Sequence, residues 1–342
     1  MNQSFDKIHD KLLLQLSGIQ AKTILHSEDY ILSLFRFQYK YNTIYKQYCN
    51  NLGVYEKDIV KIDEIPFLPI SAFKKHVVKT GNFEAEEIFR SSGTSLSKRS
   101  SHHVRHLKSY LKNSESIWSN QFESVENYCI LALLPGYLER DGSSLISMTN
   151  YFVSKSKYDI SGFYLRNHDS LASKLNTCLA QNIPTILFGV TYALLDFTEQ
   201  YQIAFPGLIV IETGGMKGQR KEMTRSELHF KIKKSFNVPK VYSEYGMTEL
   251  LSQAYTTGGS TFLSNPLLKV YTYQINDPLQ PEKPGKPGII SVIDLANIDS
   301  CAFIQTEDIG IRYENGDFEI LGRLEAADMR GCNLLLEETG FI

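Results

Sequence analysis

Across residues 90–101 the chain reads RSSGTSLSKRSS, a run of hydroxyl side chains around Gly93 with Arg90, Lys98 and Arg99 as cations. Phosphate is held by backbone N–H donors, hydroxyls and positive charge, and a glycine lets the backbone approach without a Cβ in the way. Ser91, Ser92, Gly93, Thr94 and Ser95 supply that set, although a solvated surface turn has the same composition. The stretch lacks the G-x-x-x-x-G-K-[ST] spacing of a Walker A loop. Further along, VYSEYGMTEL (241–250) has an apolar lead-in, then Tyr245 and Gly246 at a turn, then Thr248 and Glu249. A carboxylate at a strand end suits a hard cation such as Mg2+, which prefers oxygen ligands, and equally suits a helix start. In IETGGMKGQ the apolar run ends on Gly214 and Gly215, where exposed backbone offers a flat surface to a ring such as adenine, or makes an ordinary tight turn. QTEDIGI carries Asp308, a side chain that can bridge the two hydroxyls of a ribose or serve as a turn carboxylate.

Two other groups of reactive residue types read differently. His102, His103 and His106 in HHVRH are closely spaced but have no acid or thiol beside them, which argues against a metal site. The five cysteines, Cys49, Cys129, Cys178, Cys301 and Cys332, are scattered and form no C-x-x-C pair, so they read as reduced thiols rather than a disulfide framework.

The elements that must position these residues follow from periodicity. Residues up to about 50 show apolar positions at three- and four-residue spacing, the mark of helices packed on a core, with NNLG as a stop. Pro66 and Pro69 in IPFLPISAFKK impose an extended segment over residues 65–75. Beyond the hydroxyl-rich loop, HLKSYLKNSESIWSNQF reads as helix, and YCILALLP, TILFG and LIVIETGG read as buried strands. Helical stretches near 168–181, 191–202 and 222–236 alternate with them, which predicts a largely parallel α/β sheet. After about Pro266 the short strands LLKVYTYQI, GIISVIDL, CAFIQTEDIGIRY and GDFEILGR, separated by Pro, Gly and Asn, predict an antiparallel region. The expected organisation is a helical region at 1–85, an α/β core at 86–265 that carries the candidate phosphate and adenine motifs, and a β-rich region with a tail at 266–342.

Composition narrows the class. With 342 residues, 42% hydrophobic and 22% charged, the chain can bury a large core, and neither disorder nor a fibrous repeat is indicated. A net charge of −2 gives no reason to expect nucleic acid. The N-terminus lacks a signal-peptide pattern and no apolar run is long enough to span a bilayer, so a soluble cytoplasmic protein without a membrane span is expected.

Taken in order, the motifs resemble those of the adenylate-forming enzymes. That superfamily carries a Ser/Thr/Gly phosphate loop, a glycine turn at adenine, a Y-G-x-T-E motif, a T-G-D-type motif and a G-R hinge. Here they stand as Ser91–Ser95, Thr213–Gly215, Tyr245–Glu249, Thr306–Asp308 and Gly322–Arg323. The resemblance spans roughly residues 66–332. PFLPISAFK ahead of SSGTS, the spelling YGMTEL and the tail RGCNLL look most like the acyl-protein synthetases, with phenylacetate-CoA ligases as neighbours.

This resemblance implies an α/β fold with parallel sheets flanked by helices and a β-rich C-terminal part. It implies ATP and Mg2+ as cofactors. Ser91, Ser92, Gly93, Thr94 and Ser95 would then meet the ATP phosphates, Thr248 and Glu249 phosphate and Mg2+, Gly214 and Gly215 adenine within a site shared with Tyr245 and Gly246, Asp308 the ribose, and Arg323 the nucleotide or hinge. The sequence departs from the pattern at Leu96, Ser97, Lys98 and Arg99, where Gly, any residue, Pro and Lys are usual, and at Glu307, where a Gly is usual. The small mobile C-terminal domain of the superfamily, which brings a catalytic lysine, is expected to be largely absent.

The resemblance further implies that Cys332 accepts the acyl group. A thiolate attacks an acyl-adenylate readily and leaves a still-reactive thioester, whereas Cys332 read alone beside NLLL is also a small buried hydrophobe. The expected function is ATP-dependent activation of a fatty acid to acyl-AMP, transfer to Cys332, and delivery to an acyl reductase partner. Two alternatives stand beside it: transfer to coenzyme A or a carrier-protein phosphopantetheine, and a non-catalytic binding subunit of a reductase complex.

Overall fold

The computed structural model describes residues 2–20, 27–91, 99–135, 142–214 and 223–324. The chain divides into two compact units: Met1–Tyr110 with Thr248–Ser252 and Ser264–Ile342, and Leu111–Met247 with Gln253–Leu263.

The second unit is organised by strands that read as continuous apolar runs because both of their faces are covered. Cys129–Leu133 and Thr185–Val190 are buried along their whole length. The sheet order is Gly162–Phe163, Cys129–Leu133, Thr185–Val190, Ile209–Thr213, Tyr242–Tyr245, Ala254–Tyr255, and only the last pairing is antiparallel. Parallel neighbours require crossovers, and helices Ser144–Lys155, His168–Ala180, Thr191–Gln200 and Arg225–Phe236 lie between them in the chain. Their starts are set locally. Ser143 caps the amide of Ile146 at 3.3 Å, Asn167 that of Ser170 at 3.0 Å, and Thr224 forms a capping box with Glu227. The sole tryptophan, Trp118, is fully buried against the rings of Phe122, Phe152 and Tyr255.

In the first unit, helices Asn2–Gln20, Ser27–Tyr41 and Thr43–Asn51 bring aromatic rings together. Phe35 and Tyr45 pack on Phe303 of the antiparallel sheet. The periodic run that ends near residue 50 is interrupted at Asn42, whose Oδ1 accepts from Tyr45 N at 3.0 Å while Nδ2 donates to Ser300 O at 2.9 Å. The sheet carries the strands Phe318–Arg323, Phe303–Arg312, Pro287–Asp294 and Leu268–Tyr273 in that order, antiparallel to one another, as the spacing of turns after Pro266 predicts.

The proline-rich segment corrects one expectation. Leu68–Pro69 forms a short strand that pairs in parallel with Ile304 and Gln305, but a helical turn follows at Ala72–Lys75. Pro69 restricts what precedes it; nothing after it prevents Phe73 N and Lys74 N from bonding back to Ile70 O and Ser71 O at 3.1 and 3.0 Å. Among the described residues no helix is long and apolar enough to cross a membrane.

Candidate active site

The first unit gathers one set of polar groups. Strands Glu87–Arg90 and Ser101–Val104 form an antiparallel hairpin, closed by Ser91 N to Ser100 O at 3.1 Å and Ser100 N to Ser91 Oγ at 3.0 Å. Residues 92–98 join these strands, so Ser92, Gly93, Thr94 and Ser95 lie outside the described residues, as do Gly215 and Cys332. The buried Ser100 hydroxyl donates to the Glu249 carboxylate, itself only 5% exposed. Burial raises the pKa of Glu249; the Ser100 bond and the Lys74 ammonium oppose that rise, and the Glu307 carboxylate adds to it.

The backbone around Glu249 is held by side chains distant in sequence. His102 Nδ1 lies 2.9 Å from Thr248 O, and Asn297 Nδ2 donates to Glu249 O at 2.8 Å. Asp294 Oδ2 accepts from Leu251 N and Ser252 N at 2.6 and 3.1 Å, while Oδ1 accepts from the Ser252 hydroxyl at 2.6 Å and Ala296 N at 3.1 Å. Burial pushes the Asp294 carboxyl up to about 6 in spite of these bonds, and burial lowers His102 to about 4.

On strand Phe303–Arg312 the T-E-D residues alternate in direction. Thr306 donates its hydroxyl to Ile290 O at 2.7 Å and accepts from Asp308 N at 3.1 Å. Asp308 stands opposite Arg323 in the register, and its carboxylate lies 3.1 Å from Arg323 Nε. Glu307, in the place of the usual glycine, meets Lys74 Nζ at 3.3 Å. That lysine reaches it because Ile70 N bonds to Gln305 O at 2.9 Å, docking the Ala72–Lys75 turn beside the strand.

The second unit gathers the other set at the ends of two adjacent parallel strands. Gly214 follows strand Ile209–Thr213 with φ of 69°, a conformation that glycine adopts without steric cost. Its carbonyl lies 2.8 Å from the Thr191 hydroxyl, which also stands 2.9 Å from Glu212. Glu212 accepts from Ser243 Oγ at 2.5 Å and has His229 Nε2 at 3.6 Å and Arg225 Nε at 3.7 Å. Thr213 donates to Glu244, whose carboxylate fills the space beside Gly246: a Cβ there would lie 2.5 Å from Glu244 Oε1. Tyr245 is buried with its ring on Phe262.

Thus Ser91, Thr248, Glu249, Asp308 and Arg323 belong to the first unit, and Gly214, Tyr245 and Gly246 to the second. Sequence reasoning missed Ser100, His102, Lys74, Asp294 and Asn297. His102 occupies one of the two inward positions of strand Ser101–Val104, an orientation set by the hairpin pairing rather than by its local sequence. Asp294 and Asn297 carried no local signature.

Glu249 fits a cation. A desolvated carboxylate bonded by a hydroxyl gains by acquiring a positive partner, and Mg2+ is commonly held by one or two carboxylates with phosphate oxygens and water completing its octahedron. Among the described residues no group of three or more His, Cys, Asp or Glu could hold a metal.

The family model described as "Acyl-protein synthetase, LuxE" matches residues 3–340. A protein of Vibrio harveyi named long-chain-fatty-acid–luciferin-component ligase is 25% identical over 332 residues, covering 89% of this chain and 85% of that protein. Its Aliivibrio fischeri namesake is 26% identical over 341 residues, covering 88% and 85%. Among solved structures, 2-hydroxyisobutyryl-CoA ligase in an open conformation with 2-HIB-AMP and CoA superposes with a TM-score of 0.66 at 11% identity, covering 87% of this chain and 70% of that one. ATP-bound MatB from Rhodopseudomonas palustris gives 0.53 at 15% identity, covering 71% and 49%. These likenesses show the adenylate-forming fold.

Proposed function

The chain belongs to the acyl-protein synthetase family, LuxE, and from that premise we propose that it activates a fatty acid with ATP and passes the acyl group to its own Cys332. The observation that carries the reading is the family match over residues 3–340, which includes every motif of the proposed site. The names of the two bacterial relatives support a long-chain acid as substrate.

In the first step a carboxylate oxygen attacks the α-phosphorus of ATP; the P–O bond to pyrophosphate breaks and acyl-AMP forms. The acid is already ionised at neutral pH, so no strong base is needed. Ser91 and Thr94, with the rest of the loop from Ser92 to Ser95, would donate to phosphate oxygens, and Glu249 would hold Mg2+, which when bound offsets phosphate charge. Gly214 would lie along the adenine, and Asp308 would accept from ribose hydroxyls, Arg323 holding its carboxylate in place.

In the second step the thiolate sulfur of Cys332 attacks the acyl carbonyl, the C–O bond to AMP breaks, and a thioester remains. The four described cysteines, Cys49, Cys129, Cys178 and Cys301, are free thiols with no exposed surface. All four are shut off from solvent, and burial holds Cys49 up at about 12 and raises Cys301 as well; it is the likeness to the acyl-protein synthetases that points to Cys332 as the acceptor. A protein thioester is a substrate for two-electron reduction, which supports an acyl reductase as partner. Reduced thiols at these positions fit a cytoplasmic setting.

The test is exchange of labelled pyrophosphate into ATP with a panel of carboxylic acids. Exchange that needs a long-chain acid is expected, with Glu249→Gln reducing it at least tenfold; exchange with no acid of the panel contradicts the activation step.

A further inference from the structure

The orientation of Asn297 is fixed by chemistry. Its amide nitrogen alone can face Glu249 O at 2.8 Å, so Oδ1 is the atom 3.1 Å from His102 Nε2. His102 Nδ1 lies 2.9 Å from Thr248 O. The imidazole is therefore bracketed by two acceptors. A neutral ring donates to one of them at a time. Both residues are wholly buried, and the rings of Phe73 and Phe89 stand edge-on to the imidazole at 5.8 and 6.5 Å, which fixes its plane.

What the pair holds is specific. The carbonyl of Thr248 belongs to the peptide plane before the Glu249 Cα, and the carbonyl of Glu249 to the plane after it. With its proton on Nδ1, His102 donates to Thr248 O while Asn297 donates to Glu249 O; peptide units are rigid, so holding both carbonyls constrains φ and ψ of Glu249 and with them the direction of its Cα–Cβ bond. Asp294 already anchors Leu251 and Ser252, so attachment of this segment to the fold does not depend on the His102–Asn297 pair.

We propose that His102 and Asn297 are positioning residues that aim the Glu249 carboxylate at the metal-bound phosphates of ATP. This rests on the function proposed above. Neither residue touches substrate; both act through the backbone of Glu249.

The experiment uses the full chain and measures pyrophosphate exchange with a long-chain acid, Mn2+·ATP binding by electron paramagnetic resonance, and thermal midpoints. Asn297→Ala and His102→Leu are expected to lower kcat of exchange about 100-fold, the scale of a small misplacement, with KM for the acid unchanged. His102→Asn, which keeps a donor near the Nδ1 position, is expected to recover most of that loss. In a Glu249→Gln background, Asn297→Ala is expected to cost less than about threefold more, because the group it aims is gone. Additive losses, or wild-type kcat in a folded Asn297→Ala, overturn the proposal. Should Asn297→Ala fail to fold, the contrast between His102→Asn and His102→Leu decides in its place. If wild type shows no acid-dependent exchange, the function proposed above fails by itself, and metal–nucleotide binding decides this inference. Equal weakening in Glu249→Gln and Asn297→Ala sustains it; unchanged binding in Asn297→Ala, or no binding by wild type, overturns it.

Discussion

Glu212 and Glu244 are held by groups on the neighbouring strand, Ser243 and Thr213, each 31 residues away through one crossover. The segment Thr248–Ser252, only a few residues further on, is held instead by Asp294, Asn297 and His102, at separations of 42 to 146 residues. The first arrangement follows from sheet register alone: once Ile211 pairs with Tyr242, Glu212 must stand beside Ser243 and Thr213 beside Glu244. The second depends on three side chains whose importance no local pattern declares. The comparison teaches that a motif can be readable while the groups that hold it in place are not.

The strongest way to break this contrast is Asp294→Ala. It strands Leu251 N, Ser252 N, the Ser252 hydroxyl and Ala296 N in the interior, at a cost of about 4 kcal/mol, measurable by urea unfolding. The same residue gives a pH test. Its folded carboxyl titrates at about 6, above the ordinary 3.8, so the folded protein keeps a proton that the unfolded chain has released. The stability linked to Asp294 is therefore fully present below the unfolded value and is lost as pH rises to about 6. Asp294→Asn should flatten that part of the profile of thermal midpoint against pH; an unchanged slope would show that another group is responsible.

In the second unit, Gly246→Ala should cost about 2 kcal/mol, since the new methyl meets Glu244 Oε1, and the cost should shrink in a Glu244→Ala background. Gly214→Ala should cost about 1 kcal/mol from its positive φ alone. Smallest of all, Glu307→Gln should change stability by less than about 1 kcal/mol, because the Lys74 side chain it meets is 43% exposed and the pair is screened by water. A larger effect would mean that this glutamate has a structural role beyond replacing a glycine.

Much of the fold was legible because its signals are local. YCILALLP and TILFG read as buried strands and the Pro/Gly-punctuated runs after Pro266 as an antiparallel region; the strands Cys129–Leu133 and Thr185–Val190 and the antiparallel pairings follow those readings. The extended reading of residues 65–75 failed where Pro69 stopped constraining the chain and the Ala72–Lys75 turn began. Gly214, Gly246, Glu249 and Asp308 were named through motif order. Ser100 and His102 were not, because their inward orientation needs the hairpin register of residues 87–104, and Asp294 and Asn297 were not, because their partners are backbone groups, which have no letter in a sequence.

The most direct measurement is incubation of the protein with MgATP and a radiolabelled long-chain fatty acid, followed by denaturing gels of wild type and Cys332→Ser with and without hydroxylamine. A hydroxylamine-labile label on wild type that vanishes in Cys332→Ser, while pyrophosphate exchange persists in both, is the predicted result. Exchange with no label on either protein would contradict self-acylation and move the acceptor thiol to coenzyme A or a carrier; label that survives in Cys332→Ser would place it on another residue of the chain.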